Sequence, residues 1–299
     1  MMHEFWHDPA LRDEALALLS PNPNDVIIDA TIGGGGHAFE LLKKAGPKGR
    51  LLGIDLDQHA LEAVRKRARE LKVSKQVTLA EGHFQDIAKL ARERGFEQAN
   101  IIFFDLGLSS HLIEDASHGL SFQTDAPLDM RFGPRSGEVT AEEIVNTYSE
   151  DEIAGLLLRY GDERHARKIA RVIVRERRAK PITRTSELAD LVCRVVGRGR
   201  GGIHPATRTF QALRVSVNQE LEGLHTALAA CPELLNEGGR LGVISYHSGE
   251  DRIAKRAFAR FARTLGWQLI TRRVVTPSEE EVRRNPRARS AKLRVIKKS

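Results

Sequence analysis

Cysteine is scarce in this chain: 299 residues hold only Cys193 and Cys231, far apart and without CxxC spacing. That excludes a disulfide framework and a zinc ribbon, and it fits a reducing compartment. No apolar run approaches the ~18 residues that a membrane span needs, so no membrane partner is expected. The first residues, with His3, Glu4 and Asp8, lack the layout of a signal peptide, and the expectation is a cytoplasmic protein. The 11 histidines include no HExxH or other metal spacing, so no metal is expected. A GxSxG elbow and a GxxxxGK[ST] loop are also missing, which removes the common hydrolase and phosphate-loop chemistries. Acid is in modest deficit, 40 Asp+Glu against 47 Lys+Arg for a net charge of +7, a balance that favours a polyanionic partner.

What is present begins with Val26-Ile-Ile-Asp-Ala-Thr-Ile-Gly-Gly-Gly-Gly-His-Ala38, an apolar strand running through an acid into four glycines and then a helical pattern. A glycine turn between strand and helix lets a ligand rest on backbone N–H groups at the helix start. Gly33-x-Gly35-x-x-Ala38 fits the loose dinucleotide fingerprint, and Asp55 closes a second apolar strand at the offset expected for a ribose hydroxyl. The same geometry serves nicotinamide dinucleotides and S-adenosylmethionine alike, so the turn leaves the cofactor open.

The spacing predicts a short helix over 9–19, then strands at 26–30, 51–55, 76–80 and 100–106 alternating with helices, which implies parallel βαβ units. Acids end three of these strands, Asp29, Asp55 and Asp105, at the edge where such sheets bind ligands. Residues 107–138 form a long connection of the kind that serves as a functional loop. Capping-box signals at Thr140-x-x-Glu143 and Ser149-x-x-Glu152 then open an all-helical stretch. The organisation expected is a core from 1–138, a helical insertion at 139–204 and a second core part from 205–299. In that second part the spacing predicts one long amphipathic helix carrying Phe210, Leu213, Val217, Leu221, Leu224 and Leu228. Strands at 240–246, 267–275 and 291–296 complete a seven-stranded, Rossmann-like, doubly wound α/β sheet.

Within the insertion Arg164, Lys168, Arg171, Arg175 and Arg178 recur at helical spacing over about 20 Å of rise, enough to follow several phosphates. Arg198 and Arg200, in a glycine-rich loop, extend that surface. The competing reading is a solvated face paired with Glu163 and Glu176.

Six phrases occur in order: Asp-Ala-Thr-Ile-Gly-Gly-Gly-Gly-His (29–37), Asp-Leu-Gly-Leu-Ser-Ser (105–110), Pro-Leu-Asp-Met-Arg (127–131), His-Pro-Ala-Thr-Arg-Thr-Phe-Gln-Ala-Leu-Arg (204–214), Ser-Tyr-His-Ser-x-Glu-Asp-Arg (245–252) and Asn-Pro-Arg-Ala-Arg-Ser (285–290). Together they resemble the RsmH (MraW) family. The resemblance implies a class I methyltransferase fold with an inserted all-helical domain. It also implies methyl transfer from S-adenosylmethionine to the exocyclic N4 amino group of a cytidine near the decoding centre of small-subunit (16S) ribosomal RNA, free or in the assembled subunit. By the same resemblance Gly35, Gly36 and His37 contact the methionine portion of the cofactor, Asp55 the ribose, Phe84 the adenine surroundings and Asp105 the sulfonium region.

The chain departs from the family at His111-Leu112 in place of Pro-Gln, where Leu112 cannot supply the amide contact expected at the cofactor. It departs again at Ser117-His118, Tyr246 and Gly249. Since the attacked nitrogen needs hydrogen-bond acceptors, the catalytic candidates are Asp105, Ser109 and Ser110, backed by Asp129. The alternatives left open are a ribosome-assembly factor on the same fold, a paralogue with another RNA target, and an NAD-dependent oxidoreductase. Oligomeric state is not legible.

Overall fold

The computed structural model describes residues 8–107, 116–133, 139–197 and 204–299. By internal contacts the chain forms two compact units, residues 1–109 with 221–299 and residues 110–220.

In the first unit α1 (Arg12–Leu19), β1 (Val26–Asp29), α2 (Gly36–Ala45), β2 (Arg50–Asp55), α3 (Gln58–Glu70), β3 (Val77–Glu81), α4 (Ile87–Glu93) and β4 (Ala99–Asp105) alternate, as the apolar runs imply. The second unit contributes α5 (Ala141–Thr147), α6 (Glu150–Gly161), α7 (Ala166–Glu176), α8 (Thr185–Val196) and α9 (Thr207–Val217). After α10 (Glu220–Leu234) the sheet resumes with β5 (Leu235–Ser245), α11 (Ser248–Leu265), β6 (Gln268–Leu269), α12 (Glu279–Arg284) and β7 (Lys292–Lys297).

The seven strands lie in the order β3-β2-β1-β4-β5-β7-β6. The first five run parallel and β7 runs antiparallel to both its neighbours. Successive strand residues point to opposite faces, and the chain uses this with paired apolar residues. Ile28, Leu52, Ile102 and Phe104 face one cluster with Leu224, Leu228, Phe258 and Phe261. Ile27, Leu51, Ile101 and Phe103 face another with Leu41, Leu42, Leu61 and Val64. The sheet is therefore covered on both sides, and each large side chain so buried contributes about 1.5–3 kcal/mol.

Three elements differ from expectation. The single helix expected from about 207 to 228 is two, because Gln219 adopts a left-handed φ of 49°. Just before it, the Asn218 side chain donates to the carbonyls of Met130 and Arg214 and accepts from the Phe132 amide. Accordingly Phe210, Leu213 and Val217 join the helical core, whereas Leu224 and Leu228 join the sheet core. The strand expected over 267–275 shrinks to β6, since Ile270 and Thr271 both direct their amides to the Val295 carbonyl and the Thr271 hydroxyl accepts from the Val295 amide. Strand β5 begins earlier than expected, with a register shift between Ala99 and Ile101 on its neighbour.

The helical unit has its own core, including Leu128, Met130, Ile144, Ile153, Leu157, Ile169, Ile173, Leu188 and Phe210. It reaches beyond the expected 139–204 segment on both sides because Leu128, Met130 and α9 pack into it. Thr140 and Ser149 cap α5 and α6 through their hydroxyls, the latter in a full capping box. Among the described residues no helix is long and apolar enough to cross a membrane.

Candidate active site

The site is assembled at the carboxyl ends of β1, β2 and β4, neighbours in the sheet. Strand β1 ends at Asp29, whose carboxylate accepts the Thr31 amide at 3.1 Å. The turn that follows is seated against β2 by the Ile32 amide, which donates to the Ile54 carbonyl at 2.9 Å. Only glycine fits beneath it, since a Cβ on Gly53 would lie 2.1 Å from the Ile32 side chain. Gly33 and Gly35 have φ of 47° and 80°, the left-handed region where glycine carries no Cβ penalty. At Gly35 a Cβ would also lie 2.7 Å from the Phe39 ring.

Asp55, at the end of β2, ties this turn to the next. Its Oδ2 accepts the Gly33 amide at 2.8 Å and its Oδ1 accepts the Asp57 amide at 2.9 Å. The Leu56 amide also bears on this carboxylate, so of its roughly four acceptor positions three are drawn on by backbone, and the group is fixed yet still able to accept from a ligand hydroxyl. Asp57 in turn caps α3 by accepting the His59 amide.

Asp105 ends β4. Its backbone amide donates to the Thr31 hydroxyl at 2.7 Å, and its Oδ1 accepts from the Tyr246 hydroxyl at 2.9 Å. Its Oδ2 lies 3.6 Å from Nε2 of His37. That imidazole is buried, meets the Phe103 ring edge-on at 4.8 Å, and leaves Nε2 without a hydrogen-bond partner.

These acids resist ionisation. Burial pushes Asp29 up to about 8 against the pull of the Thr31 amide, and the charges of Asp105 and Asp55 add to the rise. Burial likewise pushes Asp55 up to about 6, opposed by the amides of Asp57 and Gly33. Asp105 is raised by burial, while His37 and the Tyr246 hydroxyl work against it. Burial lowers His37, opposed by the charge of Asp105. Buried carboxyls whose ionisation is disfavoured by burial, and further by one another's charge, are stabilised in their charged form by a bound cation. The donor set, with an unsatisfied imidazole beside a glycine turn, therefore fits a sulfonium cofactor bearing a ribose and an amino-acid portion.

Other expected residues are placed as follows. Gly36 opens α2 directly after Gly35. Phe84 stands in a short turn, Phe84–Asp86, with its ring against His83 at 4.2 Å and edge-on to Phe104 at 6.3 Å. It packs on the sheet core and is only partly exposed. In the helical unit, Asp129 is held by Arg131, whose Nε and Nη2 donate to its two oxygens at 2.7 and 2.8 Å. That pairing keeps the Asp129 carboxyl below the usual range. Ser109, Ser110, Leu112, Arg198 and Arg200 lie outside the described residues.

Arg164, Lys168, Arg171, Arg175 and Arg178 are all exposed. Only Lys168, Arg171 and Arg175 sit on α7, the other two flanking it. Arg171 pairs with Glu150 at 3.3 Å and Arg175 with Glu176 at 2.7 Å. Glu163, expected as a surface partner, is instead buried and accepts the His165 amide.

Sequence reasoning passed over Thr31 and Glu250, and noted Tyr246 only as a departure from a family pattern. Glu250 is buried, accepts the amides of Tyr246 and His247, and lies 3.1 Å from the His247 ring. A hydroxyl two residues beyond a strand-end acid, and an acid at the third position of a helix, were the available signals.

Comparison with known proteins adds a family. A family model described as "MraW methylase family" matches residues 4–299. The Ribosomal RNA small subunit methyltransferase H of Thermomicrobium roseum is 47% identical, over 98% of this chain and 93% of that protein. The protein of the same name from Coprothermobacter proteolyticus is 44% identical, over 100% and 98%. Among solved structures, a Clostridium thermocellum protein, provisionally described as an rRNA methylase, superposes with a TM-score of 0.50. It is 15% identical, covers 98% of this chain and is itself covered in full, a likeness of fold.

Proposed function

The chain belongs to the MraW methylase family, and on that premise we propose that it transfers a methyl group from S-adenosylmethionine to a cytidine N4 amino group near the decoding centre of small-subunit ribosomal RNA. The observation that carries this reading is the set of three acids at the ends of adjacent strands, Asp29, Asp55 and Asp105, around a turn with left-handed glycines. Relatives bearing the ribosomal name across nearly the whole chain support the choice of substrate. A nicotinamide dinucleotide would bring a pyrophosphate's negative charges to a site already crowded with carboxylates, and the acid cluster disfavours it.

The cofactor supplies an electrophilic methyl group. In this reading Gly35, Gly36 and His37 hold its amino-acid portion, with the unpartnered Nε2 of His37 available to it. Asp55 accepts from the ribose hydroxyls, and Phe84 borders the adenine with the exposed part of its ring.

Asp105 is the acceptor for the target amino group. A cytosine amino nitrogen is a weak nucleophile because its lone pair is delocalised into the ring, so an acceptor on its hydrogens raises electron density as the N–C bond forms. The proton leaves toward that acceptor or to water. Ser109 and Ser110 follow on the same loop and are proposed as further acceptors. Asp129 serves as the anchor of its loop through Arg131 rather than as a base.

A base paired within a helix is out of reach, so the target cytidine is splayed out or single-stranded. Arg164, Lys168, Arg171, Arg175 and Arg178, with Arg198 and Arg200, track the RNA backbone. The exposed ion pairs of Arg171 and Arg175 contribute about 0–1 kcal/mol each, little enough for phosphates to replace the carboxylates. A cytoplasmic location fits such a substrate.

The deciding experiment is mass spectrometry of ribosomal RNA nucleosides from a strain lacking the protein, complemented with the wild type or with Asp105→Ala. The N4-methylated cytidine should vanish, return with the wild type, and stay at least ~100-fold reduced with the variant, in line with the loss of one site hydrogen-bond partner. Unchanged nucleosides in the deletion strain would end this reading.

A further inference from the structure

Tyr246 stands where a strand end, a loop and a buried carboxylate converge. It directly follows β5, and its amide is fixed by Glu250 Oε2 at 2.7 Å. Its ring packs closely against Gly107, just beyond Asp105, where a Cβ would sit 2.9 Å from Cε2 and 3.1 Å from Cζ of the tyrosine. Glycine at 107 is thus what lets the phenol lie across the start of the loop. The hydroxyl then meets Asp105 Oδ1 at 2.9 Å, across 141 positions of chain.

We propose that Tyr246 is a positioning residue for methyl transfer: its hydroxyl occupies Oδ1 of Asp105, fixes the rotation of that carboxylate, and leaves Oδ2, on the His37 side, as the oxygen offered to the target amino group. This rests on the role given to Asp105 in the function proposed above.

The phenol is suited to the task because burial, with the Asp105 and Glu250 charges beside it, raises its own ionisation far out of the working range. It remains a neutral donor at every pH where the protein is folded. Among the described residues, the groups that bear on Asp105 come from several elements. From α2, His37 stands at Oδ2 and favours ionisation of the carboxyl. From the end of β1, Asp29 adds negative charge. From α11, Glu250 also disfavours ionisation, while the Gly107 amide favours it. Against burial, Asp29 and Glu250, the Tyr246 hydroxyl is thus one of the donors that favour the ionised, accepting form of Asp105. Removing it raises the carboxyl further, so the acid limb of the rate profile moves to higher pH.

Tyr246→Phe keeps the ring on Gly107 and deletes only the donor. A hydrogen bond to a charged group shifts a carboxyl by roughly one pH unit. The expected result is a kcat that falls up to about tenfold below wild type along the acid limb and returns to within about twofold on the alkaline plateau. KM for the RNA should change by less than about twofold, since the effect is on the reacting group. A loss equal at all pH values would reduce Tyr246 to a packing residue and overturn the proposal, as would superimposable profiles.

A second measurement needs no turnover. Carbon-13 labelling of aspartate carboxyls lets the Asp105 titration be followed by NMR in full-length wild type and variant, with Asp105→Asn for assignment. An upward move of about one unit in Tyr246→Phe is expected; no move would overturn the proposal even if the RNA reaction were as described. If the wild type failed to methylate small-subunit RNA while the NMR shift appeared, the functional reading would fall and the hold of Tyr246 on Asp105 would stand.

Discussion

Asp29 shows how a single side chain can work against the protein that carries it. Its carboxyl is buried, has one amide donor, and is pushed from the ordinary 3.8 up to about 8. The sign follows from linkage: a group whose folded value is raised stabilises fully below its unfolded value, and that stability is lost as pH climbs toward the folded value. Asp29 therefore withdraws stability progressively between about 4 and 8 in the cofactor-free protein. Asp29→Asn keeps an oxygen for the Thr31 amide and cannot ionise. The melting temperature of the variant should fall less steeply than that of the wild type between pH 5 and 8, read by thermal denaturation without cofactor; parallel curves would mean that Asp29 ionises freely. Each of the three strand-end acids was legible from sequence because each follows an apolar run. Their shared strain was not, since it depends on burial and on strand order, which place residues 29, 55 and 105 on neighbouring strands.

Among elements, α7 carries the clearest division of labour. Ile169, Ala170 and Ile173 are buried, whereas Lys168, Arg171 and Arg175 are exposed. The apolar residues hold the helix on its core, and the cationic face is kept in place by exposed pairs too weak to commit it. Arg171→Ala with Arg175→Ala should weaken RNA binding several-fold near physiological salt and lower the slope of log affinity against log salt by about 0.7–0.9 per lost phosphate contact. Filter binding or fluorescence anisotropy over a salt series would check it; an unchanged slope would return the face to solvent.

The helix pattern of α7 could be read because charge and apolar residues alternate at 3.6 spacing within one element. The boundary between α9 and α10 could not. Apolar spacing continues unbroken from Phe210 through Leu228, and the break depends on Gln219 at φ 49° and on Asn218 reaching Met130 and Phe132, 88 and 86 positions away. No local composition marks such a glutamine. Tyr246 was illegible for the same kind of reason: a phenol at a strand end becomes informative only once β5 lies beside β4.

For the whole molecule, two cores mean two sources of cooperativity. The helical unit draws its core from residues 128–217, one continuous stretch of chain, whereas the sheet unit draws its own from residues on both sides of that stretch. Trp267 is buried in the core of the sheet unit. Unfolding in urea should therefore give non-coincident transitions, with the fluorescence of Trp267 reporting the sheet unit and far-ultraviolet circular dichroism both. Superimposed curves would show instead that the chain unfolds as one cooperative body. Alternation of strand and helix made the sheet readable from sequence, and its interruption after Asp105 announced a second unit. The extent of that unit was not readable, because Leu128, Met130 and α9 join its core without any change of pattern.

Strand β4 gains its second neighbour, β5, only after the chain has passed through the helical unit, since 140 positions separate Asp105 from Ser245 (245 − 105). At ~5–20 residues per second a ribosome needs about 7–28 s to supply them. Throughout that interval the nascent half-sheet presents the apolar edge Ile101-Ile-Phe-Phe104 with its amides and carbonyls unpaired, a template for adhesion between chains. Synthesis of this protein should thus place a demand on holding chaperones that its finished form, with every central strand paired on both sides, does not betray.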